Sequence, residues 1–141
     1  MAVTALNVRP LKGSVTRDFV AGGALVTGNA FYIVSDGDVE ATDANVVASA
    51  QGRGIVVSVA DTSGGVTAAV AGDAVTGVTH GPVGGFTGLT PGATLFVSET
   101  TGEITHTAPT GAGTFTHPIG YAESATVAYI DPSVSVPVEN S

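Results

Sequence analysis

The chain has 141 residues, 43% of them apolar but only 11% charged, with 20 glycines and no cysteine. That length suits one domain with a modest core, and the lack of cysteine excludes a disulfide framework and thiolate chemistry. A net charge of −8 speaks against non-specific nucleic-acid binding, which needs clustered Lys and Arg to neutralise phosphates.

Residues 1–17 read as an extended arm, because Pro10 and Gly13 interrupt any regular element. The arm carries Arg9, Lys12 and Arg17 and no acid, whereas the remainder holds all 12 acids against one base, Arg53. Those three cations are the candidate contact residues, placed to meet an acidic protein surface; the alternative is a frayed terminus whose charges stay solvated. The first ten residues lack the charged and apolar regions of a signal peptide, and no apolar run reaches bilayer length. The expectation is a soluble chain without an export signal.

Residues 15–20 form a candidate strand, which Ala21-Gly22-Gly23 turns into the first of two similar units. Residues 31–35 are β-branched and aromatic and predict a strand, with a tight two-residue hairpin at Asp36-Gly37 and a return through Val39 and Ala41. Residues 42–52 allow one short helical turn, capped by Thr42 or Asp43 and ended by Gly52. Residues 55–60 and 66–70 flank Ser63-Gly64-Gly65 as a second hairpin, and 73–78 predict a further strand. His80-Gly81-Pro82-Val83-Gly84-Gly85 reads as the joint between units. The second unit offers a turn at Pro91-Gly92, a strand at 94–98, a turn at Thr101-Gly102 and a strand at 103–107. A loop at 108–113, a closing hairpin from 119–123 and 126–130, and an extended tail beyond Asp131-Pro132 complete it.

The two units echo one another residue by residue. Leu25 and Gly28 match Leu89 and Gly92 at an offset of 64, and Gly37-Asp38-Val39 matches Gly102-Glu103-Ile104 at 65. More loosely, Arg53-Gly54-Ile55-Val56 matches Ile119-Gly120-Tyr121-Ala122, and residues 66–70 match 126–130. Such self-similarity means one supersecondary unit used twice, neither half closing a core alone. The organisation expected is an arm over 1–17, one β domain over 18–131 built from units at about 18–79 and 86–131, and a tail over 132–141. The fold class expected is all-β, a small barrel or sandwich with one shared interior.

No catalytic constellation emerges from the sequence. His80, His106 and His117 lack the spacing of a zinc site, Ser63 lies in no nucleophile elbow, and Lys12 follows no phosphate-loop pattern. Asp36, Asp38, Glu40 and Asp43 could offer oxygens to calcium, but their spacing departs from an EF-hand loop, and a solvated turn looks the same. The reading is of a non-enzyme without metal or cofactor. A carbohydrate-binding face would normally show tryptophan, which is absent.

One segment carries a family resemblance. Gly88-Leu89-Thr90-Pro91-Gly92-Ala93-Thr94-Leu95-Phe96-Val97-Ser98, then Thr101-Gly102-Glu103-Ile104-Thr105 and Ile119-Gly120-Tyr121-Ala122-Glu123-Ser124, resembles small capsid decoration (cement) proteins of tailed bacteriophages and related β-modules of head and tail fibres. The first copy, from Ala24 to Ile33, is similar to the opening of the decoration proteins, and the likeness covers about residues 19–131. What it implies is a β-rich virion protein, assembled in the host cytoplasm, that binds the major capsid protein on the outer shell. It also implies a homo-oligomer, commonly a trimer, with no catalytic residues, nucleic acid or membrane partner. On that footing Arg9, Lys12 and Arg17 would touch the capsid or a neighbouring copy. The alternative is a tail-fibre or receptor-binding module, since the same β-units serve there.

Overall fold

The protein is described by a computed structural model over residues 3–60 and 68–141. It is all-β, with strands β1 (Thr4–Pro10), β2 (Val15–Val20), β3 (Leu25–Val26), β4 (Ala30–Ile33) and β5 (Val39–Ala41), then a single-turn helix α1 (Val47–Ala50). There follow β6 (Gly54–Ala60), β7 (Ala68–Ala69), β8 (Ala74–Thr87), β9 (Thr94–Val97), β10 (Ile104–Thr105), β11 (Phe115–Thr116), β12 (Pro118–Ala122), β13 (Val127–Ile130) and β14 (Val138–Glu139). Among the described residues, ten strands form one antiparallel sheet.

Its spine is β8, a strand of 14 residues. Residues 81–84 of β8 pair with β13 on one side, and residues 83–87 pair with β1 on the other. Its first half pairs with β6 and β2 in the same manner. The first unit therefore runs β2-β8-β6-β4-β5 and the second β8-β13-β12-β9-β10. Both follow one spatial order of their own strands: first, fifth, fourth, second, third. β8 closes one unit and opens the next, so the segment read as a joint between units is the middle of a continuous strand.

The loose match between Gly54 and Gly120 has a steric cause. A Cβ on Gly54 would collide with the carbonyl oxygen of Val78 on β8, and a Cβ on Gly120 with that of Tyr129 on β13. Each glycine lets the fourth strand of its unit lie unusually close to the fifth. This equivalence makes the first half of β8, not residues 66–70, the counterpart of β13. In the second unit, residues 123–126 join β12 to β13, whereas residues 61–73 join β6 to β8 in the first. That extra length shifts the last strand of the first unit to a larger sequence offset from the fourth. The described part of the predicted second hairpin, β7, pairs with β3 rather than folding back on β6. Its turn at Ser63-Gly64-Gly65 lies outside the described residues.

The hairpin between β4 and β5 uses a longer loop than two residues. Gly37 N–H donates to Val34 O and Val34 N–H to Asp38 O, both at 2.9 Å, with Gly37 at φ +91°. That is a three-residue loop with glycine in the left-handed position. The matched glycines Gly28 and Gly92 play a related part. At φ +98° and +85° they close turns in which Asn29 N–H and Ala93 N–H donate back to Val26 O and Thr90 O. The helical turn begins at Val46 without a side-chain cap. Asp43 spends its carboxylate instead on the Asn45 backbone N–H at 2.9 Å and side-chain amide at 2.7 Å.

Apolar residues bury in two clusters rather than one shared interior. The larger joins both units, with Ile55, Val57 and Val78 of the first unit against Leu95, Ile119 and Ile130 of the second. The smaller lies within the first unit around Phe31, Leu25, Val39, Val56 and Val75. Successive residues Ile55 and Val56 face different clusters, so this part of β6 is buried on both sides, which explains the apolar run Ile55-Val56-Val57 before the exposed Ser58. Phe31 lies over Gly54 and Gly77, where any Cβ would meet its ring, and its ring centroid is 5.1 Å from that of Phe19. The parallel bridge from Ala21 to Val39 curls the sheet so that β5 returns beside the end of β2.

The segments expected to be an arm and a tail are both docked. β1 and β2 pair along β8, and β14 pairs with β11. Asn140 holds the tail in place by donating its side-chain amide to Pro109 O at 2.7 Å and to Thr114 Oγ1 at 3.0 Å.

These contacts predict that Gly54→Ala and Gly120→Ala each destabilise the fold by about 2–3 kcal/mol, because backbone must move to admit one methyl group. Chemical denaturation of both variants against Gly37→Ala, whose Cβ position is open, measures the effect. The last should cost about 1 kcal/mol, from its positive φ alone.

Candidate functional site

β1 and β2 build an open edge of the sheet. Outside β8 no strand pairs with either among the described residues, so their outward N–H and C=O groups form an open ladder. Little of this edge is buried: Val8 is in the core and Phe19 half-buried, whereas Leu6 is 71% exposed, Val15 50% and Val20 44%. A register irregularity between Ala5 and Arg9 puts extra residues on β1 and leaves Leu6 facing water.

Arg9, Lys12 and Arg17 all lie exposed on this edge, but they do not form one cluster. Arg9 stands opposite Gly84 and Arg17 opposite Gly77, seven residues apart on β8, or roughly 23 Å of strand. Lys12 occupies the turn between them, where Ser14 N–H donates to Leu11 O at 3.1 Å. Arg9 lines a shallow cleft of about 310 Å³ with Leu6, Leu11, Phe86 and Val127.

Arg17 lines a second cleft, of about 280 Å³, and is joined there by Arg53 and His80. Phe19, Ile33, Pro132 and Val134 supply apolar walls, and no Asp or Glu is among the lining residues. Neither guanidinium is paired with a carboxylate among the described residues. Asp18, next to Arg17, projects from the other side of the strand and accepts from Thr76 Oγ1 at 3.0 Å. The sequence marked Arg53 only as a solitary base and His80 as a loop residue. What brings them to Arg17 is the pairing of β2 and β6 on opposite sides of β8, which composition does not encode.

The other histidines have structural roles. His106 accepts from Thr90 N–H at Nε2, 2.8 Å away, so its proton sits on Nδ1, which donates to Thr94 O at 3.2 Å. His117 is 1% exposed; its Nε2 donates to Ser133 O at 2.9 Å, and its Nδ1 is buried without a partner. Ser133 lies between Pro132 and Val134, so this bond anchors one wall of the arginine cleft.

In the acidic hairpin Asp36 is exposed, whereas Asp38, Glu40 and Asp43 are half-buried. Asp36 accepts from Asp38 N–H at 3.0 Å, and Asp43 holds Asn45 and lies 3.5 Å from Thr101 Oγ1. Among the described residues no group of three or more His, Cys, Asp or Glu side chains is placed to hold a metal ion. Glu40 and burial together raise the Tyr32 pKa, burial being the larger cause. On the second unit, Tyr121 and Tyr129 stack at 5.3 Å, with Tyr121 43% exposed. Their counterparts in the first unit, Ile55 and Val78, are wholly buried. Among the described residues no helix is long and apolar enough to cross a membrane.

Compared with known proteins, the chain matches no family model, and neither a curated protein nor a solved structure is significantly similar to it.

A pH dependence follows from His117. Burial holds its pKa below the ordinary value; the Ser133 hydrogen bond opposes this, and the Arg53 charge adds to it. The unfolded chain takes up a proton at its ordinary pKa of about 6.5, while the folded chain resists. The neutral ring's contribution is therefore complete above that pH and is lost as pH falls through it towards the lower folded value. Thermal melts from pH 7.5 to 5 should show Tm falling for the wild type and a shallower fall for His117→Asn.

Proposed function

We propose that this chain is a capsid decoration protein of a tailed bacteriophage, binding the outer surface of the shell and stabilising it by protein contacts. The observation that carries the reading is the open β1–β2 edge with Leu6, Val15 and Val20 facing solvent. Long apolar edges invite aggregation and are normally covered or blunted. This one suits a protein whose working state is bound to others, and β-strand addition supplies the contact. Low charge fits the same purpose, since a surface meant for burial gains nothing from carboxylates that must be desolvated.

Decoration needs no chemistry. A molecule that binds only the assembled shell stabilises it by mass action, and many weak contacts repeated over a lattice add through avidity. The major capsid protein is the partner this reading requires, with a second copy of the chain, in a trimer, as the neighbour on the shell. A tail-fibre or receptor-binding module is the second reading. The Tyr121–Tyr129 stack, with Tyr121 exposed and Tyr129 half-buried, favours it, because flat aromatic faces suit ligand recognition. Copies per virion separate the two: decoration scales with the capsid subunits, whereas a fibre module is confined to the tail or one vertex.

The edge is tested by Leu6→Lys and Val15→Lys, which place charge on side chains already in solvent. Both should keep the wild-type melting temperature, while occupancy on purified capsids falls at least roughly tenfold. Unchanged occupancy would show that the edge is not the docking surface.

A further inference from the structure

We infer that the cleft of Arg17, Arg53 and His80 is a carboxylate site that takes an acidic, extended segment of a partner protein. This rests on the decoration reading for the partner's identity and goes beyond it in naming the chemistry recognised. The chain has 12 acids and four Lys and Arg residues in all. Two of those four converge on one cleft, Arg17 from β2 and Arg53 from the residue just before β6, without a carboxylate to pair with among the described residues. Like charges repel, and this chain has ample acids to neutralise them; two guanidiniums without a carboxylate among the described residues of an acidic molecule suit an anion that arrives from outside. Guanidinium forks match planar carboxylates, binding them in bidentate fashion.

The apolar half of the cleft sets the ligand class. Phe19, Ile33, Pro132 and Val134 would be poor company for a small hydrated anion, but they accept the aliphatic neighbours of an acidic residue in an extended peptide. Val134 is 87% exposed and Ile33 46%, so these side chains are in solvent in the isolated chain. The cleft is also continuous with the open edge of β2, because Arg17 and Phe19 belong to both. A strand added along β2 would expose alternate side chains to the cleft. The motif expected is therefore acidic and apolar residues in an extended stretch, not a phosphate or a helix.

The test uses the full chain and an acetylated, amidated Val-Glu-Val-Glu-Val peptide, followed by NMR shift changes. Saturable binding is expected, with the matching glutamine peptide roughly tenfold weaker. Arg17→Gln and Arg53→Gln should each weaken the glutamate peptide by a similar factor, whereas Arg9→Gln, in the other cleft, should not. Arg17 is exposed, so its variant is expected to fold even if the half-buried Arg53 variant does not. Equal binding of the two peptides, or none, overturns the site. Inorganic phosphate shifting the same signals as strongly at equal ionic strength overturns the extended-segment assignment. If the chain decorates capsids while the glutamate peptide does not bind, the cleft assignment fails alone. If the peptide binds while capsids stay bare, the carboxylate site stands and the decoration reading fails.

Discussion

Everything in this molecule depends on β8 being paired along its length, with strands on both sides at residues 74–78 and 83–84. A strand of 14 residues containing Gly77, Gly81, Gly84 and Gly85 has little intrinsic reason to be straight or stable. Its neighbours supply that reason. Phe31 covers Gly77, Leu11 covers Gly84, and Ser14 crosses so close to Gly81 that no side chain would fit. The glycines are the places where the β1–β2 connection and the first-unit core come down onto the spine. Both hydrophobic clusters then form against strands whose positions β8 has set.

Much of this order was legible because turns and strands are local. The matched glycines at 28 and 92 and at 54 and 120 mark equivalent backbone events, one a turn and the other a close approach between strands. The short helical turn near 47–50 and most strands of the two units could be read from pattern alone. What failed was non-local. Pro10 and Gly13 look like breaks in an arm, yet the breaks separate two strands that find the same distant partner. His80 to Gly85 looks like a linker because glycine and proline are loop residues on average. Inside a sheet that presses on both faces, the same residues are the ones that fit.

The candidate site was half visible for the same reason. The basic bias of the first 17 residues singled out Arg9, Lys12 and Arg17, but it could not divide them among separate surfaces. Strand register does so, sending Arg9 to one cleft and Arg17 to another. Arg53 enters from the residue just before β6, on the far side of the spine, and the tail supplies Pro132 and Val134. The two apolar-walled clefts and the open ladder thus belong to one continuous exposed margin. It offers hydrogen-bonding backbone, hydrocarbon and fixed cations over an extended length.

The shared strand also sets the timing of assembly on the ribosome. Thr4 meets Thr87, 83 positions later, and Val15 meets His80. β1 and β2 must therefore wait for these partners until β8 has emerged. Contacts between such distant positions slow folding, since loop entropy is lost before any pairing is gained. The second unit gains no first strand from a shortened chain, and the first has no last one. The two halves resemble duplicates, but neither completes its sheet without the strand they share.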